Sequence, residues 1–156
     1  EDQQHLLEEL LKRYQTRYLA HCCDDTVVYE GVPQLLNELH EQGYKLAVIT
    51  NKPADQAKRV MDTLLPGAPL DVVWGQQPPF AVKPDPAVYY HVCDLLGVAP
   101  ENTVYCGDSD VDMMTGANAG VRTIGVKWGF RTEDELMRHN PWLLVERPEE
   151  IAEAVS

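Results

Sequence analysis

No stretch of this chain stays apolar for long. The longest runs, such as Leu46-Ala47-Val48-Ile49, cover only a few residues, whereas a membrane span needs about 20. Basic residues are scarce: 13 Lys and Arg stand against 25 Asp and Glu, a formal net charge of −12. A phosphate backbone repels such a surface, so nucleic acid is not expected as a partner. Metal-type spacings of Cys and His are missing as well. Cys22, Cys23, Cys93 and Cys106 form no C-x-x-C pair, and the five histidines show no ligand spacing, which argues against a zinc site. The simplest expectation for the thiols is that they are free and buried in a reducing compartment. The opening Glu1-Asp2-Gln3-Gln4 has neither the basic start nor the apolar stretch of a secretory leader, so a cytoplasmic protein is expected. What remains is ordinary: 156 residues, 44% hydrophobic and 24% charged, the size of one domain that needs no cross-link to hold a core.

Helix-like and strand-like segments alternate. Leu6, Leu7, Leu10, Leu11, Tyr14, Tyr18 and Leu19 give residues 3–20 the spacing of an amphipathic helix. A second helix is predicted over 32–42, stopped by Gly43, then a strand over Lys45–Thr50 and a helix entered at Pro53 and ending near Leu65. Val72–Trp74 reads as a strand. Asp85 and Pro86 read as cap and first turn of a helix to Leu96, with Gly97 closing it. Thr103–Cys106 and Arg122–Val126 read as strands around a helix over 110–119; a short helix near 133–138, a strand over Leu143–Val145 and a helix over 148–155 follow. Strands joined through single helices imply right-handed crossovers and a mainly parallel sheet. The predicted fold class is α/β, a doubly wound, Rossmann-like sheet.

Ligands of such sheets sit beyond the C-terminal ends of the strands. There the chain places Thr50-Asn51-Lys52, then Lys83-Pro84-Asp85, then Gly107-Asp108-Ser109-Asp110-Val111-Asp112. Asp108 and Asp112 are four apart, one turn along a starting helix and on one face, and such carboxylates suit Mg²⁺, which takes one or two of them plus waters and substrate phosphate. Asp108, Ser109 and Asp110 also read as a mere helix cap. A Ca²⁺ loop fails, because its glycine position is Met113 and its closing glutamate position is Ala119. The Thr50 hydroxyl and the Asn51 N–H suit phosphoryl oxygens at a helix start, or Thr50 only caps that helix. Lys83 suits neutralisation of phosphate and nucleophile, or it is a solvated surface charge.

Val48-Ile49-Thr50-Asn51-Lys52, Val82-Lys83-Pro84-Asp85 and Gly107-Asp108-Ser109-Asp110-Val111-Asp112, in this order and spacing, resemble motifs two, three and four of the haloacid dehalogenase (HAD) superfamily. Met114–Gly120 and Gly125-Val126-Lys127-Trp128-Gly129-Phe130 are similar to its phosphoglycolate phosphatase branch. The resemblance implies a Mg²⁺-dependent phosphomonoester hydrolase acting through an aspartyl-phosphate. Thr50 and Asn51 would bind the phosphoryl group, Lys83 would hold phosphate and nucleophile, Asp108 would ligate the metal, and Asp112 would support it directly or through water. The family's first motif, D-x-D-G-T/V, which carries the nucleophile, occurs nowhere in this chain. Residues 1–25 resemble the last helix of a helical cap, and 26–156 an α/β core without its first strand. The expected partners are a small phosphorylated metabolite and a missing N-terminal segment, or a second copy, that completes the sheet; no membrane is expected. A non-catalytic phosphate- and metal-binding remnant is the alternative. A receiver-like signalling domain fits less well, because receivers place their acids before the lysine and here Asp108 follows Lys83.

Overall fold

The computed structural model describes residues 2–156, and among these five strands and seven α-helices alternate. In chain order they are α1 (Asp2–His21), α2 (Val32–Glu41), β1 (Ala47–Pro53), α3 (Ala54–Leu64), β2 (Val72–Gln76), α4 (Ala87–Leu96), β3 (Val104–Gly107), α5 (Asp110–Ala119), β4 (Arg122–Val126), α6 (Glu133–Met137), β5 (Leu143–Val145) and α7 (Glu149–Val155). Gly97 and Gly120 close α4 and α5 at φ of 66° and 69°, left-handed values that glycine adopts without a side-chain clash. Pro53 ends β1 rather than opening the next helix, which starts at Ala54. The strand predicted to end at Thr50 runs on through Asn51 and Lys52, because the ladder with β2 resumes at Pro53↔Gln76 after a register shift.

Every ladder is parallel, but the strands form two sheets, β1-β2 and β3-β4-β5. Helices cover both faces. On one, Leu35 and Leu39 of α2 and Ile151 and Ala152 of α7 pack on Ile124, Val126 and Val145, and Leu46, just before β1, joins them. On the other, Tyr89 and Cys93 of α4 and Ala119 of α5 pack on Tyr105 of β3, with Ile49 of β1 against them. The two half-sheets therefore share both helix layers. Among the described residues no backbone hydrogen bond joins β1 to β3. Each keeps one unpaired edge.

All four cysteines are free, but only Cys22 and Cys93 are buried; Cys106 is exposed on β3 and Cys23 is half-buried, which corrects the expectation of four buried thiols. Leu6, Leu7, Leu10, Leu11 and Tyr14 of α1 stand about half exposed. No helix among the described residues is long and apolar enough to cross a membrane. Ile124, at 0% exposure on central β4, sets the expected response of the core. Ile124→Ala should cost about 2–5 kcal/mol, read as a drop in the urea midpoint at constant slope.

Candidate active site

The ends of β1 and β3 converge on Lys83. Its main chain is clamped by Asn51: Asn51 Nδ2 donates to Lys83 O (3.1 Å), and Lys83 N–H donates to Asn51 Oδ1 (2.7 Å). With its backbone fixed, the side chain turns inward. Its ammonium donates to Asp112 Oδ1 (2.6 Å), Ile49 O (3.2 Å) and Tyr105 Oη (3.3 Å). Side-chain exposure is only 11% for Lys83 and 10% for Asp112, so this is no solvated surface charge. One ammonium touches both β1 and β3 and spans the seam between the half-sheets.

Asp112, read from the sequence as a support of a metal site, spends both oxygens elsewhere. Oδ1 takes Lys83 and the Tyr105 hydroxyl (3.3 Å), and Oδ2 takes the Ser109 hydroxyl (2.6 Å). Burial, then the charge of Asp112, pushes the Tyr105 phenol far above its ordinary value, so it stays protonated and able to donate.

The capping question resolves onto one residue. Ser109 is the N-cap of α5, its oxygen accepting the Asp112 N–H (3.3 Å). Asp108 does not cap. Its Oδ2 accepts the Phe130 N–H (3.0 Å) across the fold. Asp110, in the first turn of α5, pairs with Arg131 (3.1 Å), and that hydrogen bond holds its carboxyl below the usual range. Thr50 does not cap α3 either, since its oxygen accepts the Lys52 N–H (3.1 Å), which leaves its own proton free to donate. Lys52 Nζ donates to Tyr18 Oη (2.5 Å) and lies 4.7 Å from that ring's centroid. This ties α1 to the C-terminal end of β1.

Among the described residues no group of three or more His, Cys, Asp or Glu is spaced to hold a metal. The donor set still fits a hard cation, because Asp108 has one oxygen beyond the Phe130 contact, and Mg²⁺ accepts a single carboxylate completed by water and phosphate. Sequence reasoning singled out Thr50, Asn51, Lys83, Asp108 and Asp112, of which Asn51, Lys83 and Asp112 share one hydrogen-bonded unit while Thr50 and Asp108 make separate contacts, to Lys52 and Phe130. It missed Tyr105, which read as a strand residue, and the reach of Phe130 and Arg131 across 22 and 21 positions, for which no local signal exists.

A doubly wound parallel α/β fold with polar residues gathered at its strand ends defines a broad class of ligand-binding enzyme folds. Within it, residues 1–126 match the family described as haloacid dehalogenase-like hydrolase, and the chain belongs to that family. It is 30% identical over 136 residues to the phosphoglycolate phosphatase of Haemophilus influenzae, covering 86% of this chain and 60% of that one. It is 33% identical over 135 residues to pyrophosphatase PpaX of Halalkalibacterium halodurans, covering 86% and 63%. A crystal structure from Lactobacillus delbrueckii subsp. bulgaricus, provisionally assigned as a phosphoglycolate phosphatase, superposes with TM-score 0.89 at 32% identity over 97% of this chain and 63% of that one. The chain thus spans about three fifths of the length of these curated relatives.

Proposed function

We propose that this chain carries the phosphate- and metal-binding part of a HAD-type phosphomonoester hydrolase, phosphoglycolate phosphatase-like in its motifs. The observation that carries the reading is the single hydrogen-bonded unit running from Asn51 through Lys83 to Asp112 and Ser109. It joins the ends of β1 and β3 and the loop between β2 and α4 around one ammonium whose side chain is 11% exposed.

Thr50 donates its free hydroxyl proton to a phosphoryl oxygen, and the Asn51 N–H donates to a second. Lys83 supplies positive charge where negative charge builds up in the transition state. Its two longer contacts, to Ile49 O and Tyr105, are the ones an incoming oxygen replaces. Asp112 orients Lys83 rather than reacting. Asp108 would hold Mg²⁺, which when bound neutralises phosphoryl charge. The nucleophile is a carboxylate that these residues do not contain, so the chain alone binds without turning over. A strand from a further polypeptide segment, seated between β1 and β3, supplies it; a second copy of this chain, which lacks the D-x-D-G motif, would complete the sheet without supplying the nucleophile. Residues 1–25 are then part of a cap over the site, as the Tyr18–Lys52 contact and the open face of α1 suggest. The substrate is a small phosphorylated metabolite, and the free thiols fit a cytoplasmic setting.

The test is binding. Inorganic phosphate titrated by calorimetry should register on the wild-type chain and be lost in Lys83→Ala. Undiminished binding by that variant refutes the assignment. For the metal, Asp108→Asn should abolish any rise in melting temperature with Mg²⁺ while leaving the metal-free melt within a degree or two. Ser109→Ala, which removes the real cap, should lower the metal-free stability by about 1 kcal/mol.

A further inference from the structure

We infer that the turn Gly129-Phe130-Arg131 is a clasp that sets the Asp108 carboxylate for its cation; the inference rests on the proposed metal role of Asp108. Two contacts tie this turn to the acidic loop in parallel. The Phe130 N–H donates to Asp108 Oδ2 at 3.0 Å, and Arg131 Nε donates to Asp110 Oδ1 at 3.1 Å. They fix the loop on both sides of Ser109, whose own hydroxyl is committed to Asp112. One carboxylate oxygen of Asp108 is therefore pinned and the other is held at a set angle.

The turn is anchored from behind. Thr132 caps α6 through a reciprocal box with Glu135, and Arg131 lies 4.0 Å from Glu135. The clasp thus hangs on a helix terminus rather than on a free loop. Close approach is permitted by the absence of a side chain at Gly129. A Cβ there would stand 2.1 Å from Asp108 Cβ and 2.2 Å from Oδ2, inside any tolerable contact, so every other residue would push the carboxylate away. Phe130 contributes its amide, since its ring is 87% exposed. Neither Arg131 nor Gly129 touches substrate in this scheme. They are positioning residues.

Coulomb's law opposes this inference in sign. Arg131 is a positive charge close to a cation site, and removing it should by field alone tighten cation binding. A positioning role predicts the reverse, a loss of about 10–100-fold, as is typical when outer contacts to a metal ligand are removed.

The experiment measures Mn²⁺ affinity from the free-ion EPR signal for the wild-type chain, Asp108→Asn, Arg131→Ala, Arg131→Lys, Gly129→Ala and Lys127→Ala. Melting temperature and hydrogen exchange of the Phe130 amide are followed on each. Lys127 pairs with Glu133 and Glu146 and serves as the neighbouring cation outside the clasp. The expected result is lost affinity in Asp108→Asn, Gly129→Ala and Arg131→Ala, partial recovery in Arg131→Lys, and unchanged or tighter binding in Lys127→Ala. Exposed Arg131→Ala keeps its melting temperature while Phe130 exchange quickens. A wild-type chain that binds no Mn²⁺, or Asp108→Asn that binds like wild type, overturns the metal reading and the clasp with it. Lost affinity in Asp108→Asn alongside equal or tighter binding in Arg131→Ala overturns the clasp alone.

Discussion

Mixed with a fragment whose strand ends in D-x-D-G, this chain should hydrolyse a generic aryl phosphate in Mg²⁺ at about 1 s⁻¹ or faster; alone, it should leave the ester untouched. The argument is geometric and chemical together. β1 and β3 are each paired on one side only, and Lys83 already reaches across them. A strand inserted there would bring its terminal carboxylates to the ammonium, where covalent phosphoryl transfer needs its nucleophile. Ala47, Asn51 and Pro53 on β1 and Cys106 on β3 are exposed, so edge groups at these residues are open to hydration instead of costing about 1–3 kcal/mol each as buried, unpaired groups. The chain should therefore fold unaided, yet offer two edges that invite pairing with other copies. Fragment at about a hundred times its dissociation constant adds about 2.7 kcal/mol, on the order of 5–10 °C in melting temperature for a domain this size. Two results defeat the idea: turnover by the chain alone that disappears in Lys83→Ala, or a high, monomeric melt that the fragment does not move.

Much of this was legible in the sequence, and the division has a physical basis. β4, β5 and α5 follow the predicted limits because apolar runs and a closing glycine mark them locally. The predicted limit of β1 at Thr50 falls three residues short of Pro53, since the extended shape of that end is imposed by pairing with β2 and not by its own residues. Within the site, residue type and spacing selected Lys83, Asp108 and Asp112, but not their division of labour. That depends on which atom meets which across the fold. Asp112 was read as a metal support from its place one turn beyond Asp108, whereas the ammonium of Lys83, 29 positions away, takes one of its oxygens. Ser109 was one of three capping candidates by type, and only the helix start distinguishes it from its neighbours.

Asp112→Asn should be among the most damaging single changes in the molecule. It preserves shape and one acceptor, but leaves the Lys83 ammonium, 11% exposed, without a counter-charge. Breaking one side of a buried ion pair costs about 3–5 kcal/mol, a large share of the about 5–15 kcal/mol that holds a domain together. Lys83→Met alone leaves Asp112 buried against Tyr105 and Ser109, whose hydroxyls still donate to it. It should therefore cost less than the loss of the carboxylate. The double variant Lys83→Met/Asp112→Asn has no buried charge left and should be no less stable than Asp112→Asn by itself. Urea denaturation of the four proteins gives the coupling energy, expected at about 1–3 kcal/mol. Additive costs would mean that water screens the pair and that Asp112 does not orient Lys83. Phosphate binding on the same four proteins separates stability from function. It should vanish in both proteins that lack Lys83 and weaken in Asp112→Asn, where the ammonium remains but nothing aims it.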